Sequence, residues 1–249
     1  MVKVLFIEGN IGSGKSTTIS HLQSTLKASK SQPIFIAEPI DQWQNVPTEE
    51  GNTINLLDEF YNNISKYSFC FQTYTFQSRM NILLQALKQA KEENREWIIC
   101  ERSIFTDREI FLESLFIGGN ITLVERAAYH SNWTFWTNML QPFFENVQIH
   151  FLYLDCPPPK AHSHIKTRNR PEEKNIDSKY LDQLHQRHHS LYFEAPQLKL
   201  QQLIKTLKDK DFKANKLNNE VIVHILTNQS DKTAFLSSID SIWISLNTK

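Results

Sequence analysis

A glycine-rich turn near the start of the chain, residues 9–17, has the spacing Gly-x-x-x-x-Gly-Lys-Ser of a phosphate-binding loop, or P-loop. Glycines allow backbone N–H groups to converge on phosphate oxygens, and the positive end of the following helix points at the same anion. In such a loop Lys15 reaches the β- and γ-phosphates, and the Ser16 hydroxyl ligates Mg²⁺. The pattern therefore predicts a nucleoside triphosphate site. Its expected binding residues are Gly9, Asn10, Ile11, Gly12, Ser13, Gly14, Lys15, Ser16 and Thr17.

Two carboxylates stand directly after apolar runs that are typical of strands. Glu38 follows residues 33–37 and precedes a proline, and Glu101 follows residues 97–100. Because ligands bind at the carboxyl ends of strands in open α/β sheets, both side chains are expected at the binding edge. Glu101 has the Walker B position, which suits Mg²⁺ directly or through water, and the neighbouring Arg102 is suited to clamp a phosphoryl group.

Three polar residues, Tyr61, Gln72 and Arg79, lie in a part of the chain that is rich in aromatic side chains. These aromatic neighbours are Phe69, Phe71, Tyr74 and Phe76. Polar groups buried among aromatic rings need hydrogen-bond partners, so this setting indicates a recognition site for a small molecule.

The elements that must position these residues alternate along the chain. Strands are predicted from Val2 and at 33–37, 97–100, 147–154 and 219–227, and helices at 17–28, 55–61, 67–91, from 107, and at 122–140, 178–194 and 231–246. Residues 43–52 are expected to be irregular, and Trp133 and Trp136 are expected in the core. The order predicts an α/β fold: one P-loop NTPase-like domain over residues 1–249, with a five-stranded parallel sheet flanked by helices.

The charged segment at about 161–175 allows two interpretations. Its charged residues include Lys166, Arg168, Arg170, Glu172 and Glu173. A charge run of this kind is most often a solvated face. In a P-loop kinase, however, the same place along the chain supplies a lid whose arginines close over the phosphates and exclude water. The histidines at 185, 188 and 189 lack cysteine or carboxylate partners spaced for a metal.

Composition narrows the class of partner. The chain has 249 residues, 40% hydrophobic and 22% charged, which fits one α/β domain with its own core. Lys and Arg total 27, as do Asp and Glu, so no net positive field favours nucleic acid or an anionic membrane. The three cysteines lack metal or disulfide spacing, no apolar run reaches membrane-span length, and the first strand begins at residue 2. We expect a cytoplasmic protein that binds small molecules, with no nucleic acid or membrane partner.

Taken in order over nearly the whole chain, these motifs resemble the deoxyribonucleoside kinase family, in particular the deoxycytidine/deoxyguanosine kinase group and the insect multisubstrate kinase. The resemblance is carried by Glu8–Thr17, Glu38-Pro39 with Trp43, Phe71–Tyr74, Glu101–Ser103 with Asp107, and Arg168-x-Arg170 with Glu172-Glu173. It implies transfer of the ATP γ-phosphate, with Mg²⁺, to the 5′-hydroxyl of a deoxyribonucleoside in nucleotide salvage. It also implies a homodimer that pairs helices, with candidate faces at 104–116 and 122–140.

The resemblance implies roles for individual residues at the reacting groups. Glu38 matches the general base near the 5′-hydroxyl, and Arg102 matches the arginine that contacts that hydroxyl and the phosphoryl group. Glu101 matches the acid linked to Mg²⁺, although some assignments in the family would make it the proton acceptor, and the sequence leaves both open. Arg168 and Arg170 match lid arginines that bind ATP.

The resemblance also implies a slot for the nucleoside. Trp43, Leu57, Phe71 and Phe111 match its walls. Gln72 matches the side chain that pairs with the base edge. Tyr61 and Glu173 match the pair that holds the sugar 3′-hydroxyl.

The expected base preference depends on Arg79 and Asp107. Family members that prefer thymidine carry apolar or small residues at these places, whereas members that take deoxycytidine or purine deoxynucleosides carry the Arg/Asp pair, as this chain does. An ionised Asp107 accepts from an exocyclic amino group, and Arg79 holds it charged and donates to the base. Thymine offers no amino group, so purine deoxynucleosides or deoxycytidine are expected over thymidine. Thr75, which is smaller in cytidine-preferring members, is positioned to crowd the base or to hydrogen-bond it.

One residue departs from the family pattern. The lid usually begins with an arginine one helical turn before Arg168, and here that residue is His164. A histidine is only partly charged at neutral pH, which changes the number of cationic contacts that the lid makes and their pH dependence.

Several alternatives compete with this interpretation. A nucleoside monophosphate kinase would need extra cations for a substrate phosphate. A GTPase would need the N-K-x-D motif, whereas residues 215–218 lack its aspartate and precede their strand. A non-catalytic accessory subunit of the same fold would be expected to lose the phosphate lysine, the base or the arginine, all of which are present. Within the family, a thymidine-preferring or broad-specificity kinase is the alternative.

Overall fold

The structure is a computed structural model that describes residues 1–27, 32–144, 146–174, 176–194, 196–205, 221–227 and 231–248. Three sequence predictions fall outside these ranges: the end of the first helix at residue 28, the start of the last strand at 219–220, and the segment 215–218.

The strands form one large sheet and one small hairpin. Their bounds are Val2–Gly9 (β1), Ile34–Ile36 (β2), Val46–Pro47 (β3), Thr53–Ile54 (β4), Trp97–Glu101 (β5), Val147–Asp155 (β6) and Val221–Thr227 (β7). The large sheet has five strands in the order β2-β5-β1-β6-β7, and every pairing in it is parallel. The predicted five-stranded parallel sheet is therefore confirmed.

Helices lie between the strands. Their bounds are Lys15–Thr25 (α1), Ile40–Gln44 (α2), Leu56–Asn62 (α3), Ile64–Glu92 (α4), Ile104–Thr106 (α5), Glu113–Ile117 (α6), Leu123–Phe144 (α7), Pro158–Arg168 (α8), Ser178–His189 (α9), Pro196–Lys205 (α10) and Lys232–Asn247 (α11). Two π-helical segments, Asp107–Leu112 and Ser190–Glu194, and a short 3₁₀ turn, Pro171–Glu173, complete the described elements.

Alternating residues of β1 are buried on opposite faces of the sheet, because successive strand side chains point to opposite sides. Val4 and Phe6 belong to a core with helices α4 and α7, whereas Leu5 and Ile7 belong to a core with α1 and α11. With both faces covered, the central strands are mostly apolar, as parallel strands require, although Glu8 of β1 and His150 of β6 are buried polar residues. The sheet is therefore the rigid middle layer of an α/β/α domain.

Several element boundaries differ from the sequence prediction. The segment predicted to be irregular, residues 43–52, contains the end of α2 and most of the hairpin of β3 and β4, which are too short to leave a periodic signal. Helix α4 begins at Ile64 rather than 67, because the Asn63 side chain accepts from the Lys66 amide and caps it. The helix expected from 107 begins earlier, at Ile104.

The expectation that both tryptophans of α7 lie in the core is half wrong. Trp133 is 1% exposed, but Trp136 is 39% exposed and neighbours the exposed Phe135 and Met139. The apolar pattern of α7 therefore belongs to two faces, of which one packs on the core and the other does not.

The strand register brings the functional segments together at one edge. Ile7 of β1 pairs with Glu101 of β5, and Ile36 of β2 pairs with Cys100. The P-loop after β1 and the carboxylates Glu38 and Glu101 therefore emerge side by side at the carboxyl ends of the strands, where α/β proteins bind ligands.

Candidate active site

A cavity of about 570 Å³ opens at this edge. Every site residue predicted from the sequence lines it except Gly9 and Asn10. Thr75 and His164, which the sequence analysis discussed for the base and for the lid, also line it. Residues that the sequence did not single out contribute as well: Ile40, Lys160, Thr167, Lys232 and Phe235. Lys232 and Phe235 come from α11, far along the chain, and carry no local motif that could have identified them.

The P-loop backbone depends on glycine at particular positions. Gly9, Gly12 and Gly14 have φ angles of 144°, 77° and 101°, a region that residues with a side chain rarely adopt. A Cβ atom on Gly12 would also collide with the backbone carbonyl of Ala161 in α8. The loop and the first turns of α8 are thus packed backbone against backbone.

Lys15 is a buried cation that the loop holds by its own carbonyl groups. Its Nζ atom donates to the Asn10 carbonyl at 2.8 Å and lies 3.3 Å from the Gly9 carbonyl. Gly9 and Asn10 therefore act on Lys15 rather than line the cavity. Burial, together with the charge of Arg102, lowers the pKa of Lys15 to about 7. A polyanionic ligand would restore the charge that burial disfavours.

Ser16 and Glu101 form the oxygen pair that the sequence predicts for a metal. Ser16 Oγ donates to Glu101 Oε1 at 2.7 Å, so the two oxygens are close enough to act on the same metal ion. The described residues contain no group of three or more His, Cys, Asp or Glu side chains able to hold a metal on their own. The pair instead fits Mg²⁺ that arrives with phosphates, because Mg²⁺ keeps most of its ligands as water and phosphate oxygens.

Glu38 lies among three cations. Its Oε1 accepts from Arg79 Nη2 at 2.5 Å and lies 3.4 Å from Arg102 Nε. Burial favours the neutral acid, but the charges of Arg79, Arg102 and Lys15 outweigh it and hold the pKa of Glu38 well below its usual range. The carboxylate is therefore ionised at neutral pH. The contact with Arg79 was not predicted, because it depends on how α4 is rotated against the end of β2.

Arg102 has a strained backbone that a buried carboxylate supports. Its φ angle is +68°, which is uncommon for a residue with a side chain. The Arg102 amide donates to the Ile7 carbonyl at 2.9 Å, and the next amide, of Ser103, donates to Glu8 Oε1 at 2.9 Å. Glu8 is fully buried, and burial raises its pKa. The first acid of the P-loop motif thus fixes the turn that carries Arg102.

Aromatic rings line a slot at one end of the cavity. Phe71 stacks on Phe60 with ring centroids 4.5 Å apart and meets the edge of Trp43 at 5.6 Å. The Trp43 indole N–H donates to Ser78 at 2.9 Å, and the Arg79 guanidinium lies 5.0 Å from the centre of its ring. The slot is therefore narrow, flat-walled and held by contacts among its own side chains.

Two acceptor oxygens in this slot have no hydrogen-bond partner among the described residues: Gln72 Oε1 and Asp107 Oδ2. Arg79 Nε donates to Asp107 Oδ1 at 3.2 Å and lies 3.1 Å from Oδ2 without hydrogen-bond geometry. Burial raises the pKa of Asp107 to about 6 against the opposing charge of Arg79, so the carboxylate is still ionised at neutral pH. Unsatisfied buried acceptors are costly, and a ligand with N–H donors would satisfy them.

The charged segment at about 161–175 is tied to the side of the cavity that α2 and α3 line. Arg168 and Arg170 both form ion pairs with Glu173, which is buried. Glu172 accepts from Gln44 and Asn55, so the 3₁₀ turn also fixes α2 and the start of α3. The two acids of the charge run are thus buried, whereas Lys166 and Arg168 are exposed, so the run is a solvated face only in part. Tyr61, partly buried, lines the same part of the cavity.

His164, the residue that departs from the family pattern, contacts the P-loop. Its Nδ1 atom lies 2.7 Å from the Gly12 carbonyl, which can only accept, so Nδ1 carries the proton. The ring therefore adds a second connection between α8 and the loop, beside the close packing of Ala161.

The fold and the cavity define a P-loop phosphotransferase: a parallel sheet, a phosphate loop at the end of its central strand, and carboxylates and arginines at the same edge. A family model described as deoxynucleoside kinase matches residues 5–229. The chain is 30% identical to deoxycytidine kinase 2 of Gallus gallus over 240 residues, which cover 89% of this chain and 88% of that protein.

Two further relatives agree. Deoxycytidine kinase 1 of Xenopus laevis is 32% identical over 240 residues, covering 89% of this chain and 88% of its own length. The mitochondrial deoxyguanosine kinase of Xenopus laevis is 33% identical over 199 residues, covering 76% of this chain and 72% of its own length. The chain belongs to the deoxynucleoside kinase family and is a kinase, as the sequence motifs predict.

Proposed function

We propose that this protein transfers the γ-phosphate of ATP to the 5′-hydroxyl of a purine deoxynucleoside or of deoxycytidine, in preference to thymidine. The observation that carries the proposal is a pair of buried acceptor oxygens, Gln72 Oε1 and Asp107 Oδ2, in the same cavity as the P-loop, neither of which accepts a hydrogen bond from the described residues. Relatives named as deoxycytidine and deoxyguanosine kinases support the same substrate class.

Glu38 is the proton acceptor in this proposal. An ionised carboxylate of low pKa is a weak base, which is sufficient because in phosphoryl transfer the attacking hydroxyl loses its proton late. Glu101 is hydrogen-bonded to Ser16 and is therefore better suited to the metal than to the hydroxyl. Arg102, which contacts Glu38, supplies positive charge for the transferring phosphoryl group.

Mg²⁺ is proposed to bind between Ser16, Glu101 and the ATP phosphates. When bound, it neutralises charge that develops on the phosphate oxygens. Lys15 shares this task, and Arg168 and Arg170 are proposed to add to it when the lid, at about 161–175, covers ATP. Tyr61 and Glu173 hold the sugar 3′-hydroxyl.

Base choice follows from the acceptors. Cytosine and adenine carry an exocyclic amino group that can donate to Asp107 Oδ2, whereas thymine would face this oxygen with a carbonyl or a methyl group. Leaving one buried acceptor unpaired costs about 1–3 kcal/mol, or roughly 5- to 150-fold in discrimination.

The exposed face of α6 and α7 supports a homodimer. Its apolar side chains are Ile117, Leu123, Val124, Phe135, Trp136, Met139 and Phe143. Several exposed large apolar side chains on neighbouring helices are typical of interaction sites. Light scattering after size exclusion tests the proposal: Trp136→Glu should shift the wild-type dimer towards monomer, and a monomeric wild type would contradict it.

The chain is further proposed to act as one kinase domain over residues 1–249, in the cytoplasm. Its three cysteines, Cys70, Cys100 and Cys156, all lie in the described part of the chain and form no disulfide, which suits a reducing compartment. Among the residues that the structure describes, no helix has the length and apolar character needed to cross a bilayer.

The first experiment measures monophosphate formation with ATP and Mg²⁺, using deoxycytidine, deoxyguanosine, deoxyadenosine and thymidine separately. Glu38→Gln is the control and should lose about 100- to 10,000-fold in kcat. Thymidine as the best substrate would contradict the assigned base preference. ATP binding without turnover of any nucleoside would favour the accessory-subunit alternative.

A further inference from the structure

We propose that His188 of α9 is a positioning residue for Arg102, to which its Nε2 atom presents a neutral hydrogen-bond acceptor. The inference rests on the proposed function, in which Arg102 acts on the transferring phosphoryl group. It concerns a residue that lies 86 positions from Arg102 and that belongs to none of the motifs of the P-loop, the strand ends or the lid.

Two contacts fix the tautomer of His188. Nδ1 lies 2.7 Å from the Leu184 carbonyl, one turn earlier in α9, and a carbonyl can only accept. Nδ1 therefore carries the ring proton, and Nε2 carries the lone pair. Nε2 lies 3.4 Å from Nη1 of Arg102, and a guanidinium can only donate. The imidazole therefore bridges a helix carbonyl and the guanidinium with both nitrogens in their proper roles.

The surroundings of His188 hold the ring neutral and in one orientation. The side chain is fully buried, with the Tyr153 ring parallel to it and the Phe111 ring edge-on to it, each 6.3 Å away between centroids. Burial, together with the charge of Arg102, holds the pKa of His188 well below its usual range. The lone pair is thus present throughout the neutral pH range.

A neutral acceptor orients Arg102 without neutralising its positive charge, whereas a carboxylate would neutralise it. The guanidinium lies 4.6 Å from the centre of the Phe111 ring, and its Nη1–H donates to the Gly9 carbonyl at 3.1 Å. Both of these partners are uncharged. Among the residues described, its one ion pair is with Glu38, 3.4 Å from Nε, and that carboxylate is shared with Arg79. His188 and Gly9 thus hold Nη1 on the side away from Glu38 without cancelling its charge, which stays available for phosphate.

Two isosteric variants separate this role from a structural one. In His188→Gln the side-chain amide ends where Nε2 stood, so the acceptor for Arg102 is kept. In His188→Asn the amide ends where Nδ1 stood, so the Leu184 contact is kept and the acceptor is lost. We expect His188→Asn to lower kcat by about 10- to 100-fold with both KM values within about threefold, and His188→Gln to stay within about fivefold of wild type in kcat.

The matched controls are His189→Asn and His189→Gln, on the neighbouring residue of the same helix, which pairs with Glu194 and stacks on Phe193 instead. Both controls should keep the wild-type kcat. Thermal melts with and without ATP report folding. If His188→Asn does not fold, His188→Leu replaces it, with the same expected loss of kcat.

Three results would overturn the inference: rescue by Asn rather than Gln, equal kcat losses in both variants, or a rise in KM with kcat unchanged. Each of these requires wild-type turnover. An inactive wild type would instead contradict the proposed function, so the two failures are distinguishable.

Discussion

The two ends of the cavity are built in different ways. At the phosphate end, residues 11–17 of one continuous loop line the cavity, and Lys15 is held by carbonyls of that same loop. At the nucleoside end, side chains from α2, α3, α4 and the π-helical segment meet across the cavity. The phosphate end can serve any substrate, whereas the nucleoside end can discriminate, because only side chains present a base-specific pattern of donors and acceptors. The link between the ends is Arg79, which contacts both Asp107 and Glu38.

The largest expected effect comes from damage to the phosphate end. Lys15→Met should lower kcat by about 100- to 1000-fold for every deoxynucleoside alike, since it removes a charge that acts on the transferring phosphate. Steady-state rates with the four deoxynucleosides measure this, with Lys88→Met on the exposed face of α4 as the control. A loss of kcat that differs between the four deoxynucleosides would contradict the inference that the phosphate end does not discriminate between bases.

Damage to the nucleoside end should change the base ratio instead. Arg79→Met combined with Asp107→Ala should shift the thymidine-to-deoxycytidine ratio of kcat/KM by about 10- to 100-fold towards thymidine. Overall rates should also fall, because Glu38 loses its partner Arg79. A competition assay with both substrates cancels that general loss, and an unchanged ratio would mean that this pair does not read the base.

A smaller effect follows from the pKa of Lys15, which is about 7. Bound phosphates raise this pKa, so ATP binding takes up a proton, and affinity must fall as pH rises from the pKa of the free protein towards that of the complex. We expect the Kd for ATP to rise about fivefold between pH 7 and pH 8. Calorimetry at pH 8 in two buffers of different ionisation enthalpy checks the uptake. Proton release, or none, would show that Lys15 is already charged in the free protein.

The smallest effect is expected at the sugar. Tyr61→Phe removes one neutral hydrogen bond and should raise the KM for a deoxynucleoside about threefold. The same change should leave the KM for a 2′,3′-dideoxynucleoside unaltered, because that sugar lacks the 3′-hydroxyl. An equal rise with both substrates would assign Tyr61 to the wall of the slot rather than to the hydroxyl.

The same contrast explains what could be predicted from sequence. The P-loop and the Ser16–Glu101 pair were accessible because each lies directly at the end of an apolar run, and parallel strands must end at one edge. The contact of Arg79 with Glu38 was not, because it depends on how α4 is rotated against β2. The apolar residues of α7 show the same limit: periodicity marks them as apolar but does not say whether their partner is this chain's core, as for Trp133, or lies elsewhere, as for Trp136.

The close packing of Gly12 against Ala161 restricts how this sequence can evolve. The atom that a side chain at residue 12 would strike is a backbone carbonyl, which no substitution at residue 161 can remove. Any other residue at position 12 would require the whole of helix α8 to move away from the loop. His164 and the start of the lid would move with it. Substitution at residue 12 is therefore excluded unless α8 moves. Substitutions in the P-loop and in helix α8 must therefore be compatible with each other.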